Sequence, residues 1–236
     1  NKLNIVKKDI ILISSDLTKV FLQLKKNHIV FNPDHFLDYL IEFIENTGTI
    51  LLPAYNWDFC EGKTFDYYKT PSMTGSLSKI ALGRKEFSRT RNPIYSFAVY
   101  GKHANDIINL KHYSCFGDDS PFAFLYKNNA KNLFLGLDYK YGFTMDHYAE
   151  ERIGVNYRFH KTFKGKYIDN NNKKKDVEFS MYVRDLSLKV VTGISDKMDK
   201  VLESHNCLLK DNILDCNSEC QPKTPRPKAL CSLAKL

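Results

Sequence analysis

Between Asn132 and Arg152 the sequence NLFLGLDYKYGFTMDHYAEER joins a strand-length apolar run to a polar, helix-forming one. Leu133, Phe134, Leu135 and Leu137 are too few for an ordinary helix and show no polar alternation, so they read as a short buried strand. Gly142 breaks the loop that follows. Thr144 then suits the cap of a helix that carries His147 in its first turn, beside Asp146 and one turn ahead of Glu150 and Glu151. α/β proteins hold ligands at the carboxyl ends of sheet strands, where such a loop enters a helix. An imidazole placed there can serve as a general base near neutral pH. A surface or satisfied core position is the plainer role for any one histidine. His147 and Glu150 also share a helix face, as ligands do in carboxylate-bridged metal centres. No second H-x-x-E or E-x-x-H pair accompanies them, so no metal is expected.

The chain before this stretch supplies partners for its strand. Lys8–Ser14 is a charged start followed by an apolar run, a buried strand opening into Ser14-Ser15-Asp16. Asn32-Pro33 starts a helix whose apolar face is Phe36, Leu37, Leu40, Ile41 and Ile44; Gly48 stops it and Thr49–Leu52 returns as a second buried strand. Pro53–Ser72 is long, rich in rings (Tyr55, Trp57, Phe59, Phe65, Tyr67, Tyr68) and without periodicity, a loop of functional length. A short helix near Leu77–Leu82 and a strand at Tyr95–Tyr100 follow. Ser120-Pro121 then caps and opens another helix. After the central stretch, Val155–Tyr167 and Val177–Arg184 read as a hairpin around Asn170–Lys175, followed by a helix near Asp196–Ser204 and a strand near Cys207–Leu214. This order predicts an α/β fold: a mixed central sheet with helices on both faces.

The 236 residues, 43% hydrophobic and 13% aromatic, suit one substantial domain over 1–215. Residues 216–236 have no aromatic residue, three prolines and scattered basic residues, so they read as a tail without a core of its own. The net charge of +8 fits an anionic partner, yet no zinc-finger spacing, RNP-type run or recognition helix points to nucleic acid. A phosphorylated small molecule fits better. No apolar run has membrane-spanning length, and the six cysteines include no C-x-x-C pair, so a reducing cytoplasm is the expected setting. An oligomer of identical chains stays open. G-x-G-x-x-G and Walker patterns are absent, which disfavours dinucleotide and triphosphate folds.

Motifs in a fixed order carry a more specific signal. They are Ile10–Ser15, Gly48-Thr49 before Leu51-Leu52-Pro53, Thr70-Pro71-Ser72 to Gly75-Ser76-Leu77, and Arg91-Asn92-Pro93 to Ser96-Phe97 and Gly101. Phe116-Gly117 with Ser120-Pro121 follows, then Leu135-Gly136 before Thr144, His147, Ala149 and Glu150. In this order, from about Lys8 to Leu186, the chain resembles the aminoglycoside 3-N-acetyltransferase family, including relatives that N-acylate nucleotide-linked amino sugars. Ile13 and Asn92 stand where that family usually has histidine, and Tyr157-Arg158 and Tyr182–Arg184 look closer to the sugar-acylating relatives.

The resemblance implies an acetyltransferase fold distinct from the GNAT type, acetyl-CoA or another acyl-CoA as donor, and an amino sugar, nucleotide-linked in the relatives it looks closest to, as acceptor. It places His147 as general base with Asp185 as the carboxylate that orients it. Ser14, Ser15, Ser96, Phe97, Ser120 and Thr144 line the cofactor site in the same reading. Tyr55, Trp57, Glu150, Tyr157 and Arg158 are the expected acceptor contacts, and Arg89, Arg91 and Lys102 the candidate contacts to coenzyme A phosphates. Cys60 and Cys115 have no paired base in the sequence, which favours direct transfer over an acyl-enzyme. Two other readings remain: an aminoglycoside-resistance enzyme, and a non-catalytic sugar- or nucleotide-binding module on the same fold.

Overall fold

In the computed structural model, which describes residues 3–193, 196–212 and 230–235, the first apolar run becomes strand β1 (Ile10–Ser15). Its side chains alternate between two cores: Ile11 and Ile13 enter one, Ile10 and Leu12 the other. A strand buried on both faces lies inside a sheet, which is why the run shows no polar alternation. Helices α1 (Leu17–Lys26) and α2 (Pro33–Ile44) cover the first face through Leu17, Val20, Leu24, Leu37, Leu40 and Ile44. Strand β2 (Thr49–Pro53) then returns parallel to β1, with Leu12 opposite Leu51. The chain continues through β3 (Phe65–Asp66), α3 (Ser76–Leu82), β4 (Ser88–Arg89), β5 (Phe97–Gly101), α4 (Ala104–Ile108) and α5 (Pro121–Lys127). Strand β6 (Lys131–Leu135) pairs parallel with the other edge of β1, and α6 (Met145–Ile153) follows. The hairpin β7 (Arg158–Ile168) and β8 (Lys174–Arg184) leads to α7 (Asp196–Ser204), β9 (Leu208–Asn212) and β10 (Leu230–Lys235).

Among the described residues the main sheet runs β4-β5-β2-β1-β6-β10-β9, and a smaller sheet runs β3-β7-β8. Strands β2, β1 and β6 are parallel, and β5, β4, β10 and β9 join antiparallel, so the sheet is mixed as expected. α1, α2 and α3 pack on one face. α4, α5, α6 and the smaller sheet cover the other through Ile107, Phe122, Leu125, Met145, Tyr148, Tyr167 and Tyr182. The chain leaves β1 towards β2 on one side and later lays β6 on the other. Ligand crevices open at such a point, beyond the carboxyl ends of the diverging strands.

Local chemistry explains most boundaries. Asn32 Oδ1 accepts from Asp34 N–H at 2.8 Å, and Ser120 Oγ from Ala123 N–H at 3.2 Å, so both predicted caps form. Asp16 caps α1 through Thr18 N–H at 3.1 Å, a helix the sequence reading passed over. Thr144 makes no capping bond: it is already helical (φ −62°, ψ −13°) and lines the cleft described below. The loop expected over Pro53–Ser72 is partly structural, because β3 within it pairs with β7 and Phe59 and Phe65 are core residues.

The expected tail at 216–236 falls mostly outside the described residues, but its last part does not behave as a tail. Leu230–Lys235 is inserted between β6 and β9, with Leu233 opposite Leu133 and Leu209. Apolar periodicity could not show this, since a six-residue strand fed by both neighbours needs no core of its own. Truncation after residue 215 is therefore expected to lower the thermal midpoint, because it strips one full strand ladder from β6 and one from β9. A midpoint unchanged from the full chain would contradict the placement of β10.

Candidate functional site

A cleft of about 360 Å³ opens at the divergence of β2, β1 and β6. Ser14 and Ser15 end β1, Pro53 ends β2, and Leu137 lies two residues beyond β6; all four line it. Tyr55, Trp57, Thr74, Gly75, Ser78, Tyr95, Tyr141, Gly142, Thr144 and His147 complete the wall, with Ile13 at the base of the Ser-Ser pair. No Asp, Glu, Lys or Arg is among these lining residues. Hydroxyls and rings dominate instead. Gly142 lets Leu137 pack closely, since a Cβ there would lie 2.5 Å from Leu137 Cδ2 and push that side chain aside. Thr74 ties the wall together: its hydroxyl donates to Pro53 O at 2.6 Å and accepts from Tyr55 N–H at 3.1 Å.

His147 enters from the first turn of α6, its ring seated edge-on against Phe116 at 5.3 Å between centroids. Rings continue from there, with Phe116 4.7 Å from Tyr95 and Tyr95 4.7 Å from Tyr55. Two carboxylates approach Nδ1 from the same helix: Glu150 Oε2 at 3.1 Å and Asp146 Oδ1 at 3.1 Å. Arg158, at the start of β7, brings Nη2 to 2.9 Å from Glu150 Oε2 and 3.2 Å from His147 Nδ1. Tyr157 donates its hydroxyl to Glu150 Oε1 at 2.9 Å. Burial pushes the Asp146 carboxyl up from its ordinary range, with the Glu150 charge adding to the effect and His147 and Arg158 opposing it. Burial likewise pushes the Tyr55 phenol well up, so it stays protonated.

Ligand atoms of Asp146, His147 and Glu150 lie within 4.8 Å of one another, the spacing a cation would need. A guanidinium already stands among them. Arg158 Nη2 contacts two of the three groups, so the positive charge that a metal would bring is supplied by the chain.

The structure gathers some of the expected site residues and disperses others. Ser14, Ser15, Thr144, Tyr55, Trp57 and His147 share the cleft wall; Glu150, Tyr157 and Arg158 form the layer behind His147. Asp185 is elsewhere engaged, its carboxylate accepting from Ser187 N–H at 2.9 Å and Ser187 Oγ at 2.6 Å; the carboxylate hydrogen-bonded to the His147 ring is that of Glu150. Ser96 and Phe97 are fully buried beneath the cleft, with Ser96 Oγ donating to Ala54 O at 2.6 Å, and Ser120 is spent on capping α5. Glu151, expected near the imidazole, instead accepts from Ser114 Oγ at 2.8 Å. Arg89 is 3% exposed and cannot meet a phosphate in solution. Lys102 follows Gly101, which pairs with Thr49 at the start of β2, so it lies at the opposite end of the sheet from Pro53. Arg91 borders a separate surface hollow with Lys111 and Lys175.

Asn92 and Ile13 also find physical roles. Asn92 Oδ1 accepts from Ile94 N–H at 2.9 Å and Tyr95 N–H at 2.8 Å, the turn that aims Tyr95 at the cleft. Thr74, Ser78, Tyr95 and Tyr141 were not singled out from the sequence. Only the Gly75 motif hinted at the first two, and a tyrosine in a loop carries no signal of its own.

Fold and site together define an α/β protein with a histidine–carboxylate pair at the switch point of a mixed sheet. The chain belongs to the aminoglycoside 3-N-acetyltransferase family, whose model matches residues 24–215. It is 28% identical over 138 residues to the SPbeta prophage-derived aminoglycoside N(3')-acetyltransferase-like protein YokD of Bacillus subtilis (strain 168). That match spans 48% of this chain and 50% of YokD, so the chain aligns with about half the length of this curated relative. In fold, the crystal structure of YokD superposes with a TM-score of 0.71 at 20% identity, covering 99% of this chain and 84% of that one. AAC-IIIb in a binary complex with CoASH gives a TM-score of 0.74 at 17% identity over 99% and 87% of the two chains. AAC-VIa bound to sisomicin gives 0.73 at 16% identity over 99% and 88%.

Proposed function

We propose that the protein is a coenzyme A-dependent N-acyltransferase, N-acetyl in the first instance, that acts on the amino group of an amino sugar by direct transfer. The observation that carries this is the imidazole of His147 on an uncharged cleft wall, with Nδ1 turned to two carboxylates. With its proton on Nδ1, the ring gains Glu150 Oε2 as acceptor and the Asp146 carboxylate as a neighbouring charge; with a lone pair there, it would face both carboxylates at 3.1 Å. Nε2 is then the basic nitrogen. An amine at neutral pH is mostly ammonium and must lose a proton to become a nucleophile, which Nε2 can take while Glu150 and Asp146 balance the resulting imidazolium.

Acetyl-CoA would supply the activated acyl group as a thioester. The cleft suits the uncharged arm that carries it: Ser14, Ser15 and Thr144 offer hydroxyls, and Ile13, Pro53 and Leu137 offer apolar wall. Its phosphates find no cation among the lining residues, so they belong outside the cleft mouth. The relative AAC-IIIb, solved with CoASH, supports the same donor. Cys60 and Cys115 are free thiols whose pKa values burial pushes up, Cys60 to about 11, which argues against an acyl-cysteine.

For the acceptor, the wall favours a sugar with few charges. A polycation gains from clefts lined by free carboxylates, and this one presents none. We therefore place a nucleotide-linked amino sugar ahead of an aminoglycoside, with Trp57, 38% exposed, and Tyr141, 85% exposed, available to stack on a sugar or base. AAC-VIa bound to sisomicin motivates the competing reading. The test is the release of free thiol from acetyl-CoA with a panel of both acceptor types at matched salt. We expect kcat/KM for the nucleotide-linked amino sugar to exceed that for sisomicin by at least about tenfold. A higher value for sisomicin would assign the protein to the antibiotic-acetylating branch; saturable coenzyme A binding without thiol release would make it a binding module.

A further inference from the structure

We infer that Tyr157 and Arg158, neighbours at the entry to β7, are positioning residues that fix the Glu150–His147 pair and so select which imidazole nitrogen faces the cleft. Both oxygens of Glu150 are taken. Oε1 accepts from the Tyr157 hydroxyl at 2.9 Å, and Oε2 is ion-paired with Arg158 Nη2 at 2.9 Å and lies within hydrogen-bond distance of His147 Nδ1 at 3.1 Å. A carboxylate saturated in this way has no oxygen to offer an incoming ammonium, so Glu150 serves the imidazole and not the acceptor.

The clamp is itself held from behind. Arg158 Nη1 donates to Tyr182 O at 3.1 Å on β8, and the Tyr182 hydroxyl donates to Val155 O at 2.6 Å. Tyr157 O accepts from Asp185 N–H at 2.9 Å, which gives Asp185 a part in the site through its backbone and not its carboxylate. The side chains of Arg158 and Glu150 are 9% and 15% exposed, so their pair is shielded from the screening that makes surface ion pairs weak. Glu150 on its own, a flexible side chain on a nine-residue helix, would sample several rotamers. The smaller sheet thus reaches across to a helix of the main fold and locks one of them. The guanidinium 3.2 Å from Nδ1 would suit a lone pair there, but Glu150 Oε2 stands in hydrogen-bonding position to Nδ1 at 3.1 Å and the Asp146 carboxylate lies as near, so two negative charges favour a proton.

The effect on turnover rests on the function proposed above, whereas the tautomer is a property of the free protein. The experiment therefore has two arms. Nitrogen-15 NMR of the imidazoles, with His147 assigned by comparison with His147→Ala, reads the tautomer without substrate. Steady-state transfer from acetyl-CoA reads kcat and KM. We expect the Nδ1–H form in the parent protein and a mixture in Arg158→Met. Turnover of Arg158→Met should fall about 10- to 100-fold, the usual effect of groups that orient a ligand or base, with KM for acetyl-CoA within about twofold. Arg158→Lys should recover part of the loss, since an ammonium can reach Glu150 but cannot also span to Tyr182 O. Tyr157→Phe, which removes one hydroxyl and leaves the ring, should give a smaller fall and covers the case in which Arg158→Met does not fold. An Nε2–H tautomer in the parent protein overturns the inference, as does an unchanged tautomer and kcat in both folded variants. So does a raised acceptor KM at constant kcat, which would make Arg158 an acceptor contact. A parent protein that transfers to no amino sugar would sink the proposed function, while the NMR arm would still decide the clamp.

Discussion

His147→Ala is expected to lower turnover by about two to four orders of magnitude while leaving coenzyme A affinity within about twofold. The asymmetry follows from where the side chain stands. It occupies one side of a wall otherwise made of hydroxyls and rings, so its loss removes little binding surface but the sole basic nitrogen of that wall. Folding should survive, because Glu150 keeps Tyr157 and Arg158 as partners and Phe116 keeps its contacts with Tyr95 and Phe122. Circular dichroism and a thermal midpoint near that of the parent protein would establish this. Turnover close to that of the parent protein would take His147 out of the mechanism. A collapsed midpoint would instead make the imidazole a packing residue. His147→Gln is the useful companion, since it keeps a polar group of similar reach and cannot accept the proton at neutral pH.

What the sequence revealed and what it hid follow one physical division. Elements buried on both faces or opened by a cap were legible, since apolar runs without alternation and Asn-Pro or Ser-Pro pairs are local signals: β1, β2, β6, α2 and α5 all lie where they were expected. α1 was not, because Phe21 and Leu22 are about half exposed and blur the stripe formed by Leu17, Val20 and Leu24. The two-residue strands β3 and β4, and β10, exist only through their neighbours. The site divides in the same way. His147 could be found because strand, glycine and helix start are contiguous, and Glu150 because i and i+3 share a helix face. Its orienting carboxylate was nonetheless sought at Asp185, since a resemblance transfers positions and not hydrogen bonds. Arg158 was expected at the acceptor and stands behind His147 instead; nothing in the order of residues shows that β7 packs its first arginine against α6.

Arg89 gives the largest expected effect on stability, and it was misread from sequence as a phosphate contact. A basic residue beside Arg91 in a basic protein suggests a surface role, yet Arg89 is 3% exposed. Burial pushes its pKa down to about 10, which leaves it protonated at neutral pH. Its partners are neutral. Nε donates to Ser96 Oγ at 3.0 Å, Nη2 to Ala54 O at 3.2 Å and Nη1 to Thr70 O, while the guanidinium lies 4.7 Å above the Phe65 ring. These bonds join β4 and the start of β5 to the two ends of the Pro53–Ser72 segment, so the cation is the internal tie of the loop that bears Tyr55 and Trp57. Arg89→Ala removes the donor to Thr70 O, leaves Ser96 Oγ and Ala54 O only each other, and opens a cavity, recognised routes to a large loss. The expected destabilisation is about 3–5 kcal/mol, equivalent at this chain length to a midpoint lowered by about 6–20 °C. Arg89→Lys should recover little, because one ammonium cannot serve three acceptors placed for a planar fork. Arg89→Met removes the buried charge while filling most of the space, and it should fall between the parent protein and Arg89→Ala. Differential scanning calorimetry of the three variants checks the order. A midpoint for Arg89→Ala within about 2 °C of the parent protein would show that water can replace the guanidinium at Thr70 O and that the space collapses without cost.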